Sequence, residues 1–244
     1  MYCLTESHGK NSFTDKASAF PSFAEYAHCD SKAEKIAGLH RAVASSSGSI
    51  IDSTGLVLTV AHAVETGESA KIIYRNRVKN AFEVFRDEKL DIMLLKFDPK
   101  DFSDIPYLEL SFEAVNLGQK VYGVSFPNAD QTNAHPIYYN CDITSVENQN
   151  KPHLIAINNE LSKGCSGMCV VNDSGKIVGV VNSQSNGMIF PKNWNFATST
   201  RFLKDSIKKY LPQRTNGPST RLCSELLAQK LTGTAVMVLA YKRK

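Results

Sequence analysis

The sequence has no apolar stretch approaching the ~20 residues that a helix needs to cross a bilayer. Its first twenty residues, Met1 to Phe20, are polar where a secretory signal would carry its apolar core. Neither a membrane span nor a cleaved leader is therefore expected, and the chain reads as cytoplasmic, with export by a signal-less route left open. A basic stripe interleaved with aromatics is also missing. Net charge is +4, but apart from Lys208-Lys209 and Lys242-Arg243-Lys244 the cations are scattered among acids. Such a pattern belongs to a solvated surface rather than to a nucleic-acid footprint. There is no internal repeat and no low-complexity tract. Cys165-x3-Cys169 lacks the matching Cys/His pair that a metal site would need, so no metal is expected. The six cysteines (Cys3, Cys29, Cys141, Cys165, Cys169, Cys223) are expected as thiols, since nothing in the sequence directs the chain to an oxidising compartment.

What is present is 244 residues with 42% hydrophobic and 21% charged content, enough for one large domain or two modest ones with a core that needs no staples. Residues 1 to 37 form a polar N-terminal arm with a short helical segment, 24 to 37, after Pro21. From Leu39 the texture changes to short extended runs divided by turn residues: 42–45, 48–52, 56–61, 70–75, 81–86 and 91–97. After 99–118 a second series follows: 119–126, 137–146, 154–158, 168–171, 176–183 and 193–198. Asn172-Asp173-Ser174-Gly175 between two valine-rich runs is a hairpin signal, because these residues tolerate positive φ. Two groups of six short strands predict two small antiparallel barrels or sandwiches. A helix is expected over 201–211, where Leu203, Ile207, Tyr210 and Leu211 share one face. Residues 213 to 244 read as a linker and short C-terminal extension, a docked helix and strand.

Three segments carry chemistry. Gly55-Leu-Val-Leu-Thr-Val-Ala-His62 is a β-run that stops at a histidine, the side chain able to take and return a proton near neutrality. Lys89-Leu90-Asp91 puts a carboxylate at the head of an apolar run, where burial demands a partner such as a histidine Nδ1–H. Lys163-Gly164-Cys165-Ser166-Gly167-Met168 presents a serine between glycines, whose backbone freedom lets N–H groups converge on an oxyanion.

Taken together, the order His62, Asp91, Ser166, with separations of 29 and 75 residues, resembles the chymotrypsin-like serine peptidases and, within them, the HtrA/Deg branch. Gly118-Gln-Lys-Val-Tyr-Gly-Val-Ser-Phe-Pro127, Gly179-Val-Val-Asn182 and Phe196-Ala-Thr-Ser-Thr200 look like further segments of that branch. The resemblance covers residues 38 to 212. It implies an all-β fold with a C-terminal helix, two six-stranded antiparallel β-barrels of the chymotrypsin type, the first in 38–105 and the second, with the helix, in 106–212. It implies a serine endopeptidase with Ser166 as nucleophile, His62 as proton shuttle and Asp91 as its orienting acid. The oxyanion hole would lie at Gly164, Cys165 and Ser166, and substrate would pair along Val181, Asn182 and Ser183. Glu160, six residues before Ser166, stands where trypsin-like members place an acid at the floor of the primary pocket. No cofactor is implied, the partner is a protein or peptide substrate, and a homo-oligomer is left open. Two residues depart from the branch: Cys165 replaces Asn or Asp, and Met168 replaces a glycine. A protein-binding module without turnover therefore stays open, as does a cysteine nucleophile at Cys165, one residue out of register. No PDZ domain is expected in the 32 residues that follow Pro212 here.

Overall fold

A computed structural model describes residues 42–127, 135–146, 151–182, 194–212 and 220–242. The N-terminal arm and Ser183 lie outside them. Thirteen strands in these residues make two barrels.

The first barrel begins with β1 (Ala44–Asp52) and β2 (Leu56–Thr59), followed by β3 (Ser69–Tyr74), β4 (Arg77–Asp87) and β5 (Ile92–Phe97). The turn between β1 and β2 needs Gly55: its φ is +86°, and a Cβ there would collide with the Phe97 carbonyl. β3 and β4 meet in a two-residue turn, Arg75-Asn76, with both φ positive (46° and 58°), the turn whose twist suits a hairpin. The runs 42–45 and 48–52 are one strand, not two. The serines between them read as a turn, but Ser46, Ser47 and Ser49 are buried, and the Ser47 hydroxyl finds its hydrogen-bond partners outside its own barrel.

That merger leaves five strands where six were expected. The sixth is β13 (Ala235–Tyr241), from the far end of the chain. It pairs antiparallel with β1 through Ser47↔Met237 and Gly48↔Val236, and with β3 through Ile73↔Met237, closing the order β1-β13-β3-β4-β5-β2. So 38–105 is not the whole of the first barrel, and 213–244 is not only an appendage. All seven residues of β13 are buried. Each large apolar side chain there contributes about 1.5–3 kcal/mol, enough for the strand to hold its slot.

The second barrel is built from β7 (Lys120–Ser125), β8 (Ile137–Ser145), β9 (Leu154–Asn158), β10 (Cys169–Val171), β11 (Lys176–Asn182) and β12 (Trp194–Ser199). It runs β10-β7-β8-β9-β12-β11 and closes through β10–β11, the hairpin expected at Asn172–Gly175. Asn172 Oδ1 accepts from the N–H groups of Ser174 and Lys176, and Gly175 takes φ +71°. β6 (Glu109–Leu110) adds a short parallel pairing to β11 that was not foreseen. Two clusters of buried side chains result. One fills the first barrel and extends between the barrels; the other, around Val121, Ile155, Ile157, Met168 and Val181, fills the second.

The helix expected over 201–211 is three short pieces: 3-10 turns Thr200–Leu203 and Lys208–Tyr210 around α1 (Lys204–Ile207). Leu203 and Ile207 are buried as its spacing predicted. α2 (Ser224–Thr234) buries Leu227 and Leu231, packs against β7 and β1, and feeds β13 into its slot. No helix among the described residues is long and apolar enough to cross a membrane.

Candidate active site

β2 is a fully buried run, and where it ends the chain makes a 3-10 turn, Ala61–Ala63, that lifts His62 out of the core. The histidine side chain is 25% exposed and Asp91 17%. Nδ1 of His62 lies 2.6 Å from Asp91 Oδ2, and the His62 backbone N–H donates to Asp91 Oδ1 at 2.9 Å. Both carboxylate oxygens thus hold one residue. A carboxylate only accepts, so the hydrogen sits on Nδ1 and Nε2 is left as the acceptor that a general base requires.

Asp91 belongs to the β4–β5 hairpin, where φ is +52°. Aspartate is among the few non-glycine residues enriched in that region. Asp87 Oδ1 accepts from the N–H groups of Lys89 and Leu90 and so shapes the approach to it. Across the molecule, Thr198 Oγ1 on β12 donates to Leu90 O at 3.0 Å, tying the second barrel to the neighbour of Asp91.

The serine loop is held from both barrels. Gly164 and Gly167 have φ of +95° and +84°, and Ser166 between them is 8% exposed. On the second-barrel side, Gly167 N donates to Val181 O and Val181 N to Met168 O, both at 2.8 Å. On the first-barrel side the grip is Ser47. Its N–H donates to Ser166 O at 2.8 Å and its hydroxyl to Gly164 O at 2.8 Å, while that hydroxyl accepts from Phe126 N at 3.0 Å. Its carbonyl in turn accepts from Thr59 Oγ1 at 2.7 Å, three residues before His62. One residue of β1 therefore connects the strand that ends at the histidine with the loop that carries the serine. A Cβ at Gly167 would collide with Ser47 O and meet Thr59 Oγ1 at 2.5 Å, so this close approach requires glycine.

The two departures both face inward. Cys165 is fully buried, its sulfur accepting from Ser125 Oγ at 3.1 Å and standing 3.6 Å from the Tyr139 hydroxyl. Burial, then the hydrogen bond to this thiol, pushes the Tyr139 hydroxyl up to about 12. The Cys165 N–H is engaged with Ser162 O at 3.2 Å, so of the three residues expected at the oxyanion hole this one has its donor committed elsewhere. Met168 is fully buried in the second barrel, over Gly123, where a Cβ would sit 2.8 Å from its sulfur. The two residues trade size: a bulky methionine after the serine stands over a glycine on β7. Cys169 points elsewhere, 3.9 Å from Leu58 O, and burial pushes its thiol up to about 12. Among the described residues no cluster of His, Cys, Asp or Glu could hold a metal.

Of the expected substrate residues, Val181 is fully buried and spends its backbone on the serine loop, so its side chain belongs to the core. Asn182 is half-buried at the end of β11. Glu160 is exposed beside half-buried Leu161, and Asn195 anchors the loop by donating to Asn159 O. A cleft of about 380 Å³ elsewhere, lined by Glu113, Asn116, Lys120, Asp173 and Arg221 among others, includes none of His62, Asp91 and Ser166. Missed by sequence reading were Ser47, Thr59, Thr198 and Ser125. Serine and threonine in short polar runs give no signal of cross-barrel partners.

A sequence profile described as a trypsin-like peptidase domain matches residues 46–180, more than half of the chain and all three of His62, Asp91 and Ser166. The chain belongs to the trypsin-like peptidase family. Its chymotrypsin-like fold is similar to the crystal structure of the serine endoprotease from Yersinia pestis, with a TM-score of 0.55 and 19% sequence identity over 78% of this chain and 66% of that one. The trypsin-like chain thus spans about two thirds of that structure's length. No curated protein matches it in sequence.

Proposed function

We propose that this trypsin-like chain is a serine endopeptidase that hydrolyses peptide bonds through an acyl-enzyme. In this reading Ser166 Oγ attacks the scissile carbonyl and its proton passes to His62 Nε2. Asp91 orients the ring and stabilises the imidazolium. The protonated ring then returns its proton to the leaving amine, and water repeats the sequence to release the acid. The N–H groups of Gly164 and Ser166 would receive the oxyanion, in a loop already fixed by Ser47 and Val181, so that little reorganisation accompanies charge development. Substrate would lie along the end of β11 near Asn182 as an added strand.

The observation that carries the reading is the two-point grip of Asp91 on His62, at 2.6 and 2.9 Å, in the strand-end turn whose neighbour Thr59 is linked through Ser47 to the Ser166 loop. Such a grip keeps the hydrogen on Nδ1 and leaves Nε2 as the acceptor, which is the state a general base needs. The alternative, a non-catalytic binding module, was suggested by Cys165 and Met168; the inward burial of both side chains favours the peptidase reading over it. A fluorophosphonate probe tests the proposal. It should label the wild-type protein at Ser166 and leave Ser166→Ala unlabelled, with His62→Ala slowed by several powers of ten. Equal labelling of Ser166→Ala would overturn the assignment.

A further inference from the structure

The turn that carries His62 is weak by itself. Its two internal bonds, Ala63 N to Val60 O and Val64 N to Ala61 O, are 3.4 and 3.3 Å long, and Val60 at its start offers no side-chain cap. Three residues of 3-10 structure with bonds of that length do not fix a ring to the tolerance that proton transfer demands. A second residue of the β4–β5 hairpin supplies the missing restraint. Arg86 lies five residues before Asp91 and opposite Met93. Its guanidinium reaches back under the turn, Nη1 donating to Ala61 O at 3.0 Å and Nη2 to Val64 O at 2.5 Å. The side chain is only 13% exposed, and two further donors go to Glu83 Oε2 (from Nε) and Glu88 Oε1 (from Nη1), both at 3.0 Å. These carboxylates neutralise the cation and aim its fork, so that two nitrogens meet the two carbonyls that flank His62.

We infer that Arg86 is a positioning residue for His62, holding the turn's backbone while Asp91 holds the ring, so that one hairpin grips the base from both sides. Lysine cannot replace this fork, because a single ammonium does not span both carbonyls with the same geometry. The inference rests on the peptidase reading for its kinetic consequence, but its structural consequence is independent of it.

The test uses the full chain with Arg86→Met and Arg86→Lys, each checked for an unchanged melting profile. Two quantities are read: the rate of fluorophosphonate labelling at Ser166 across pH, and the downfield proton resonance of the His62 Nδ1–H···Asp91 bond. Arg86→Met should label about ten- to a hundred-fold more slowly, the loss expected for a displaced base, with the resonance broadened or shifted. Arg86→Lys should fall between it and wild type. A folded Arg86→Met that labels at the wild-type rate with an unshifted resonance overturns the inference. If wild type itself is not labelled, the peptidase reading fails, and the resonance in Arg86→Met against wild type still decides whether Arg86 holds the turn. Should Arg86→Met not fold, Arg86→Lys alone decides: an unmoved resonance and rate refute the role.

Discussion

The two barrels are alike in strand number and unlike in how they are closed. The second is assembled from a continuous run of chain, β7 to β12, and is completed by the β10–β11 hairpin. The first takes five strands from residues 44–97 and its sixth from residues 235–241, inserted between β1 and β3. His62 and Asp91 stand in the barrel that depends on this distant strand, while Ser166 stands in the one that closes locally. Ser47, paired with Met237 on β13, is also the residue that grips Ser166. The last strand of the chain therefore bears on both halves of the site, through a neighbour that no local sequence pattern announces.

Breaking this closure is expected to have the largest effect. Val238→Asp places a charge at a fully buried site between β1 and β3 and should cost more than about 4 kcal/mol, the range of uncompensated buried charge. Hydrogen exchange resolves where the loss falls: amides of β1, β3 and the Ala61–Ala63 turn should lose protection first, with β8 and β9 retaining theirs. Equal loss in both barrels would show that they are not separately closed.

The contact between the barrels is tested next, by Gly167→Ala. Backbone strain at φ +84° costs about 1–3 kcal/mol, and the new methyl collides with Ser47 O, so the loop must leave β1 and labelling of Ser166 should collapse. Gly175→Ala is the comparison: φ is also positive, but the nearest atoms belong to the flexible end of Lys230, and labelling should be unaffected.

Within the second barrel, Cys165→Ala removes the sulfur that accepts from Ser125 Oγ at a fully buried site, a loss of about 1–3 kcal/mol. Cys165→Asn, which restores the residue type of the HtrA-like branch and again offers an acceptor, should retain or raise the labelling rate. A thiol-selective alkylator should not reach the folded wild type at this position.

Smaller still is the expected effect at Glu160. A partly desolvated carboxylate could discriminate by a few kcal/mol, but an exposed one is screened and contributes less than about 1 kcal/mol. Glu160→Gln should change preference for Lys or Arg over apolar residues by less than about fivefold in a peptide library. A larger change would restore this residue to the floor of the pocket.

The smallest effect concerns pH. Burial, followed by Lys151, lowers the pKa of His153 below its ordinary value of ~6.5. A folded state that favours the neutral ring is stabilised at pH values above the unfolded pKa and loses that contribution as pH falls through ~6.5 towards the folded value. His153→Gln should therefore flatten the decline of melting temperature on mild acidification. The strand contact survives, because Ser199 N donates to the His153 backbone carbonyl rather than to its ring.

The sequence by itself determined what depends on local pattern. Alternating apolar runs and positive-φ turn residues set the strands, because side-chain period and turn chemistry are properties of a few neighbouring residues. The ordered spacing of His62, Asp91 and Ser166 carries the chemistry we propose, because only a few residue types can move a proton or attack a carbonyl at neutral pH. Only the tertiary structure decided what depends on partners far along the chain. It joined β13 to β1 and β3, made one buried strand of a serine run that reads as a turn, turned Cys165 and Met168 inward, and set Ser47 and Arg86 against the backbones of the Ser166 loop and the His62 turn. A hydroxyl or guanidinium does not specify its partner in sequence. Which carbonyl it finds is settled when the barrels close and every buried polar group must be satisfied.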